Sequence, residues 1–462
     1  MAGLTTRRVP RREFIRRAIT VTMKPLNILL LCNRPVKNAD ASTVTDHLDA
    51  LINFSEHKIT QLSFVRQLPS HVNLARFDVL VIHYTVAIGY MSEHYINQAA
   101  KRKIQKFDGL KVVFIQDEYR AVNTVLATLE FLKVDILFTC VPNEEIEKVY
   151  PKQVLPGVIK VNTLTGYVPS KLLAYQAPRI TERKNDVGYR TRKPPYWLGQ
   201  LGHEKWQISD RFQELTQDKG LTLDLSYDES RRIYGEHWIK FVASCKTMLG
   251  VESGASVFDF EGHLQRQVDM YVSEHPDATF QEVQNKFLHP YEGLIRLNQI
   301  SPRCFEAAAL RTVLVLFEGE YSGILQPWRH FIPLKKDFSN LEQVVAKIKD
   351  NHFLQEMADR TYEEVANNPR YSYKTFVLGF DKTISEAFVK TDKIPVVNPY
   401  TPTQYNMAIA LSVRFTVRRL LTASLQRVLL GTGIRSILFK IWGNVPLNAR
   451  SMLRPLLRIV GR

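Results

Sequence analysis

The residues best suited to chemistry form one short run, Ser301-Pro302-Arg303-Cys304-Phe305-Glu306-Ala307-Ala308-Ala309. Proline directly after a serine marks a helix start, because proline at the first helical position loses no hydrogen bond. The free N–H groups of such a start favour a bound diphosphate. A carboxylate one turn further in can accept from two neighbouring hydroxyls, as the acidic residue of other nucleotide folds does. An ordinary helix with Glu306 in solvent and Arg303 on the surface would read the same way. A second group is Gly250-Val251-Glu252-Ser253-Gly254-Ala255-Ser256. Its small residues let backbone amides approach a ligand, though a tight strand-to-helix turn has the same composition. Arg190, Arg192, Lys193 and Lys205 supply cations nearby in sequence, which a solvated basic loop would also do. In the first half of the chain, Gln116-Asp117-Glu118 follows one apolar run and His83 ends another, so Asp117, Glu118 and His83 are the acid–base candidates. Helix capping is the plain alternative for Asp117.

No metal site is expected. Asp259-Phe260-Glu261 reads as structural, and the 12 histidines form no H-x-x-x-H pair. The 4 cysteines (Cys32, Cys140, Cys245, Cys304) show no C-x-x-C spacing and sit in or beside apolar runs, as reduced buried thiols do. Disulfide scaffolds and thiolate zinc sites are excluded on that ground.

The elements that must position these groups read as alternating strands and helices. Leu26–Cys32, Val79–His83, Lys111–Ile115 and Val134–Val141 are apolar throughout, as strands of a parallel sheet covered on both faces are. Between them, Ser42 can cap a helix bearing Val44, Leu48 and Leu51, and Val122, Val125, Leu126, Leu129 and Leu132 share the face of another. A polar stretch from Ala177 to Asn185 reads as a linker, after which the pattern restarts. Strands are expected at Asp186–Tyr189, Leu221–Leu225, Thr247–Val251, Thr312–Phe317 and Phe331–Leu334. A long loop is expected to hold Arg190 to Gly202, with Lys205 just before the next helix, and residues 261–297 read as a helical insertion. The fold class is therefore α/β, with two Rossmann-like, doubly wound domains (24–178 and 185–390) facing a cleft, the default ligand site.

The Arg-x-Phe-Glu-Ala helix start, the strand after it, and then Asp337, Phe338 and a helix with Leu341, Val344, Val345 and Ile348 resemble the nucleotide-binding segment of family-4 (group 1) glycosyltransferases. Motif-level likeness is concentrated in residues 247–350. The resemblance implies a GT-B fold and an enzyme that transfers a sugar from a nucleotide-sugar donor to a glycan or lipid-linked acceptor in cell-surface polysaccharide or lipopolysaccharide assembly. It implies Glu306 on the ribose, Arg303 and Ser301 near the diphosphate, and Arg190 and Lys205 (or Arg192 or Lys193) neutralising it, with no metal and no cofactor beyond the donor. The chain departs from the common pattern at Asn298, where many members have a glutamate eight positions before the helix glutamate; the branch with R-x-F-E-A alone fits, and Glu252 is the stand-in acid. Gln116 likewise replaces a histidine. Those departures favour one alternative, a non-catalytic nucleotide- or sugar-binding scaffold; another is a sugar-nucleotide epimerase of the same shape, which would not need a membrane-associating tail.

The net charge of +16 is carried by the ends. Residues 1–22 hold six arginines against Glu13, and residues 393–462 hold eleven lysines and arginines with no acid, which leaves the body balanced. Met23-Lys24-Pro25, directly before the first strand, is an alternative start that would leave residues 1–23 as a basic leader. In the tail, Val413, Val417, Leu420, Leu421, Leu425 and Val428 share one helical face, and Ile434–Trp442 and Met452–Val460 repeat the apolar–basic mixture. Such a segment suits an anionic membrane surface, reached through residues 406–462, better than a nucleic acid, whose binding arms are less apolar. No stretch has the length and apolarity of a membrane span, and no apolar export segment follows the leader. A cytoplasmic protein, peripheral on the inner face of the membrane, is the expectation.

Overall fold

The computed structural model describes residues 24–36 and 41–428, with side chains placed for most of the chain up to Thr416. Two parallel sheets dominate it, each doubly wound. The first has the order β2-β1-β3-β4-β5-β6, from Asn27–Cys32 (β1), Lys58–Ser63 (β2), Val79–Ile82 (β3), Leu110–Ile115 (β4), Ile136–Thr139 (β5) and Ile159–Asn162 (β6). The second has the order β11-β10-β9-β7-β8, from Asn185–Arg190 (β7), Leu223–Ser226 (β8), Cys245–Gly250 (β9), Val313–Phe317 (β10) and Phe331–Leu334 (β11). All neighbouring strands are parallel. The expected architecture of two α/β halves is present.

The central strands β1, β3, β4 and β5 are covered on both faces and their side chains are buried almost throughout, which is why they consist of unbroken apolar runs. One face of the first sheet packs Leu30, Val81, Phe114 and Phe138 against Leu48 and Leu51 of the Ser42–Phe54 helix; the other packs Leu29, Leu80 and Val113 against Val122, Val125 and Leu129. In the second sheet Met248, Leu314 and Leu316 meet the Pro302–Ala309 helix, while Leu249 and Val315 meet Phe212 and Val344.

Strand order decides where ligands can bind. In a doubly wound sheet, the loops at the C-terminal ends of two neighbouring strands diverge where the order reverses, and a crevice opens between them. Here that happens between β1 and β3, and again between β7 and β9.

Two segments tie the halves together. The Tyr373–Val389 helix follows the second sheet in sequence but packs on the first, where Phe376, Val377 and Phe380 join the cluster of Phe114, Phe138 and Leu48. Residues 255–297 also reach across: Val257, Phe258, Leu264 and Val268 bury themselves with Tyr119, Val122 and Leu126 of the first half. The polar stretch read as a linker is anchored. Arg183 is buried and donates to the carbonyls of Pro178, Cys245 and Leu310 and to the Thr312 hydroxyl.

The tail begins as a helix, Pro402–Val428. Its first turns pack on the first domain, with Ala408 and Ile409 buried in that core and the Ser412 hydroxyl accepting from the His71 amide at 3.0 Å. Met407 and Leu411 stay exposed. The leader and the apolar–basic runs Ile434–Trp442 and Met452–Val460 lie outside the described residues.

Candidate active site

Between the two sheets lies a cavity of about 350 Å³. Its floor is the β7/β9 crevice: Tyr189 and Arg190 at the end of β7, Thr191, Arg192 and Pro194 beyond it, Val251–Ser253 after β9, and Ser301–Arg303 at the start of the Pro302–Ala309 helix. The 232–235 loop and Trp238 form one wall. The first domain contributes Ala41–Thr43, at the start of its own first helix, and Tyr119.

Glu306 sits in this cavity one turn into its helix. Ser301 is the N-cap in extended conformation and Pro302 holds the first position, so the sequence signal for a helix start is realised here. The Glu306 carboxylate is nearly buried; Oε2 accepts from the Trp238 indole at 2.8 Å, and Oε1 lies 3.5 Å from the Ser42 hydroxyl. Burial pushes its pKa above the ordinary carboxylate value, while the Trp238 bond and the Arg303 charge pull it back. The Arg303 guanidinium donates to the Arg190 carbonyl at 2.7 Å and lies over the rings of Tyr189 and Trp238, 4.8 and 5.4 Å from their centres. An arginine fixed by rings and one carbonyl still presents further donors to an anion.

Lys205 is the second cation. The structure places it inside the Gly199–Leu215 helix, not before it, because that helix begins at Gly199 and absorbs Gly199 and Gly202, which the sequence reading put in a loop. Its ammonium donates to the Gly254 carbonyl at 2.9 Å, which leaves two N–H groups for a ligand. Burial brings its pKa down to about 8, with the Asp117 charge acting upward and Arg192 and Arg303 acting downward. Arg192 is exposed on the cavity wall. Arg190 is tied elsewhere. Its guanidinium donates to Asp224 Oδ1 at 2.7 Å and to the Asp224 and Tyr189 carbonyls, and stacks on Phe241. Arg190 lines the cavity, but both of its terminal guanidinium nitrogens are held by these partners. Lys193 lies over the Trp206 ring, 4.4 Å from its centre, and does not line the cavity.

The glycine-rich loop divides in two. Glu252 and Ser253 line the cavity, but the Glu252 carboxylate already accepts from the Glu320 and Tyr321 amides and from Asn298 Nδ2, at 3.0, 2.9 and 2.7 Å. Asn298 thus meets the acid named as its stand-in, and together they brace the 320–322 turn. Gly254 has φ +108, and a Cβ there would collide with the Leu297 carbonyl, so only glycine serves. Ala255 is fully buried, and the Ser256 hydroxyl faces Glu292 and the Leu201 amide. Ala255 and Ser256 point away from the cavity and are corrected to structural roles.

Two of the three acid–base candidates are also corrected. Glu118 is buried, with its carboxylate taken up by the Thr139 and Tyr150 hydroxyls and by the Cys140 amide at 2.6 Å; burial raises its pKa to about 7. His83 has no exposed surface. The Thr85 amide donates to its Nδ1 at 3.2 Å, so a neutral ring carries its proton on Nε2, 3.0 Å from His47 Nδ1. Burial, helped by His47, holds His83 far below the usual histidine range. Asp117 differs. It is exposed at the end of β4 with φ +57, it caps no helix, and Oδ1 accepts from the Tyr119 hydroxyl at 2.8 Å.

Asp259 and Glu261 hold the crossing segment. The Asp259 carboxylate accepts from the Gly262 and Gln265 amides at 2.8 and 3.0 Å; its backbone pairs with Tyr119 and Val122, and Glu261 accepts from Asn123. The sequence reading missed Trp238, Tyr119 and Ser42 as cavity residues. Each looks like a core or capping residue until the elements around the cavity are brought together.

No family model matches the chain, and no curated protein matches it in sequence. Among solved structures it is similar to an α-glucosyltransferase in complex with UDP and a 13-mer DNA, at 14% identity and TM-score 0.48 over 78% of this chain and 99% of that one. It is similar to Anabaena HepE in complex with UDP, at 10% identity and TM-score 0.43 over 78% of this chain and all of that one. With TarM the figures are 10% and 0.39, covering 69% of this chain and 56% of the other.

Proposed function

We propose that this protein is a GT-B glycosyltransferase that moves a sugar from a nucleoside-diphosphate sugar to an acceptor hydroxyl. One observation carries the reading: a buried carboxylate fixed by an indole, and cations from two separate elements, face a single cavity at the β7/β9 switch point. Glu306 takes the ribose hydroxyls. Arg303, Lys205 and Arg192 take the diphosphate, whose charge grows as the bond between the anomeric carbon and the phosphate oxygen breaks. The acceptor oxygen forms its bond to that carbon, the electron pair of the broken bond leaves with the diphosphate, and the hydroxyl proton passes to Asp117. Tyr119 orients the Asp117 carboxylate through its 2.8 Å bond.

The basic tail is proposed to hold the enzyme on an anionic membrane. Among the described residues no helix is long and apolar enough to cross one. Because the tail helix packs on the first domain as far as Ser412, the test is a chain ending at Arg414. Flotation with anionic vesicles should be lost in that chain; unchanged flotation refutes the anchor.

Donor hydrolysis tests the activity. A panel of nucleotide sugars should show slow release of nucleoside diphosphate with at least one donor, abolished in Glu306→Ala and Arg303→Ala. Absence of both hydrolysis and binding for every donor overturns the proposal. Binding without turnover favours the scaffold alternative, which the full engagement of Glu252 and Glu118 supports. Epimerised free sugar favours the third.

A further inference from the structure

The second switch point, between β1 and β3, opens a cavity of about 770 Å³, twice the volume of the first and within the range of small-molecule sites. It is built from the loops after β1, β3 and β4, and Asp117 is among its lining residues. We infer that this cavity binds a neutral amphiphile, with its hydroxyl against Asp117 and its hydrocarbon chain leaving past Val36, Met91 and Tyr95. The inference rests on the glycosyl-transfer reading above, for which it names the acceptor class.

Charge favours a neutral head over an anionic one. Two arginines line the cavity beside the Asp117 and Glu118 carboxyl groups. Arg34 donates to Asp49 Oδ1 at 2.6 Å and to Gln61 Oε1 at 3.1 Å. Arg120 donates twice to Gln265 Oε1, at 3.1 and 2.9 Å, and lies 4.1 Å from the centre of the Tyr90 ring. Asp49 already neutralises Arg34, whereas Arg120 is held by the neutral Gln265 amide and keeps its charge, so a phosphate would meet one uncompensated cation with two carboxyl groups, Asp117 and Glu118, in the same cavity. A neutral hydroxyl, by contrast, can donate to that carboxylate, of which Oδ1 alone holds the Tyr119 bond.

Part of the wall is apolar and reaches the rim. Val86, Ile88 and Phe114 are buried beneath the cavity, while Val36, Met91 and Tyr95 are 61%, 57% and 36% exposed at its mouth. A bare sugar would leave that rim in water, whereas an alkyl or prenyl chain attached to the acceptor would cover it.

Calorimetry with the full chain tests this without requiring turnover. The probes are methyl, hexyl and octyl β-glucoside below micellar concentration, and octyl phosphate. Affinity should rise along the alkyl series by ~4-fold per methylene that becomes buried, and octyl phosphate should bind more weakly than octyl glucoside. Met91→Glu, and independently Val36→Glu, should weaken octyl glucoside at least tenfold while leaving methyl glucoside and nucleoside diphosphate binding unchanged. Equal affinity for methyl and octyl glucoside, tighter binding of octyl phosphate, or indifference to both rim substitutions overturns the inference. Failure of the glycosyl-transfer reading shows separately, as absence of donor binding and hydrolysis.

Discussion

Lys205 offers a test in which affinity and stability must move in opposite directions. Its pKa in the free protein is about 8, lowered by burial from the ordinary 10.5. Roughly nine-tenths of the ammonium is therefore present at pH 7 and about one-tenth at pH 9. If the diphosphate binds the protonated form, affinity falls about tenfold across that window, about 1.4 kcal/mol. The other cavity cations do not titrate there, since arginine stays charged, and a terminal phosphate with a second pKa of ~6 is already ionised. The sign for folding is the reverse. Between about 8 and 10.5 the unfolded chain binds more protons at this position than the folded chain, so this group's contribution to stability rises with pH. Titration of a nucleoside diphosphate by calorimetry at pH 7, 8 and 9, beside urea unfolding at the same pH values, reads both. Lys205→Met should abolish the pH dependence and weaken binding at pH 7 by ten- to a hundredfold, the ~1.5–3 kcal/mol of a charged hydrogen bond. Asp117→Asn removes the carboxylate that raises the lysine pKa and should move the midpoint lower. Affinity that stays flat from pH 7 to 9, with Lys205→Met binding as wild type, would refute the reasoning.

Three further outcomes follow from the same geometry. Glu306→Gln should weaken nucleoside diphosphate binding at least tenfold, by about 1.5–3 kcal/mol. Its raised pKa means that the ionised form is disfavoured in the fold and its contribution falls as pH rises through the folded value, so at pH 7 the melting temperature should hold or increase, as calorimetric unfolding will show. Glu118→Gln places an NH₂ among three donors and should cost roughly 1–3 kcal/mol in urea unfolding with kcat preserved, whereas Asp117→Asn should lower kcat with stability preserved. Asp259→Ala strands two amides at the start of the crossing segment and should cost about 1–3 kcal/mol, measured by urea midpoint.

Nine of the eleven strands among the described residues were legible because buried parallel strands are apolar on both faces. The two that were not, Lys58–Ser63 and Ile159–Asn162, are the edge strands of one sheet, and their polar residues Gln61, Lys160 and Asn162 interrupt any apolar run. Gly199 and Gly202 suggested a loop, yet packing starts a helix at Gly199 and carries Lys205 to the cavity within its second turn. The helix start at Ser301 was legible from its serine and proline. Burial is what sequence withheld. His83 and Glu118 end or follow strands just as Asp117 does, and only the packed structure separates a carboxylate bonded inside the core from one exposed at the β1/β3 cavity. Trp238 was readable as a helix residue; that its indole holds Glu306 depends on a contact across 68 positions.

The most direct test is a crystal structure with whichever of UDP, GDP or ADP binds tightest. The ribose hydroxyls should lie on Glu306, and the diphosphate oxygens within ~3 Å of Lys205 Nζ and the Arg303 guanidinium. A nucleotide seated in the β1/β3 cavity, or outside the cleft with Lys205 and Glu306 untouched, would contradict the account.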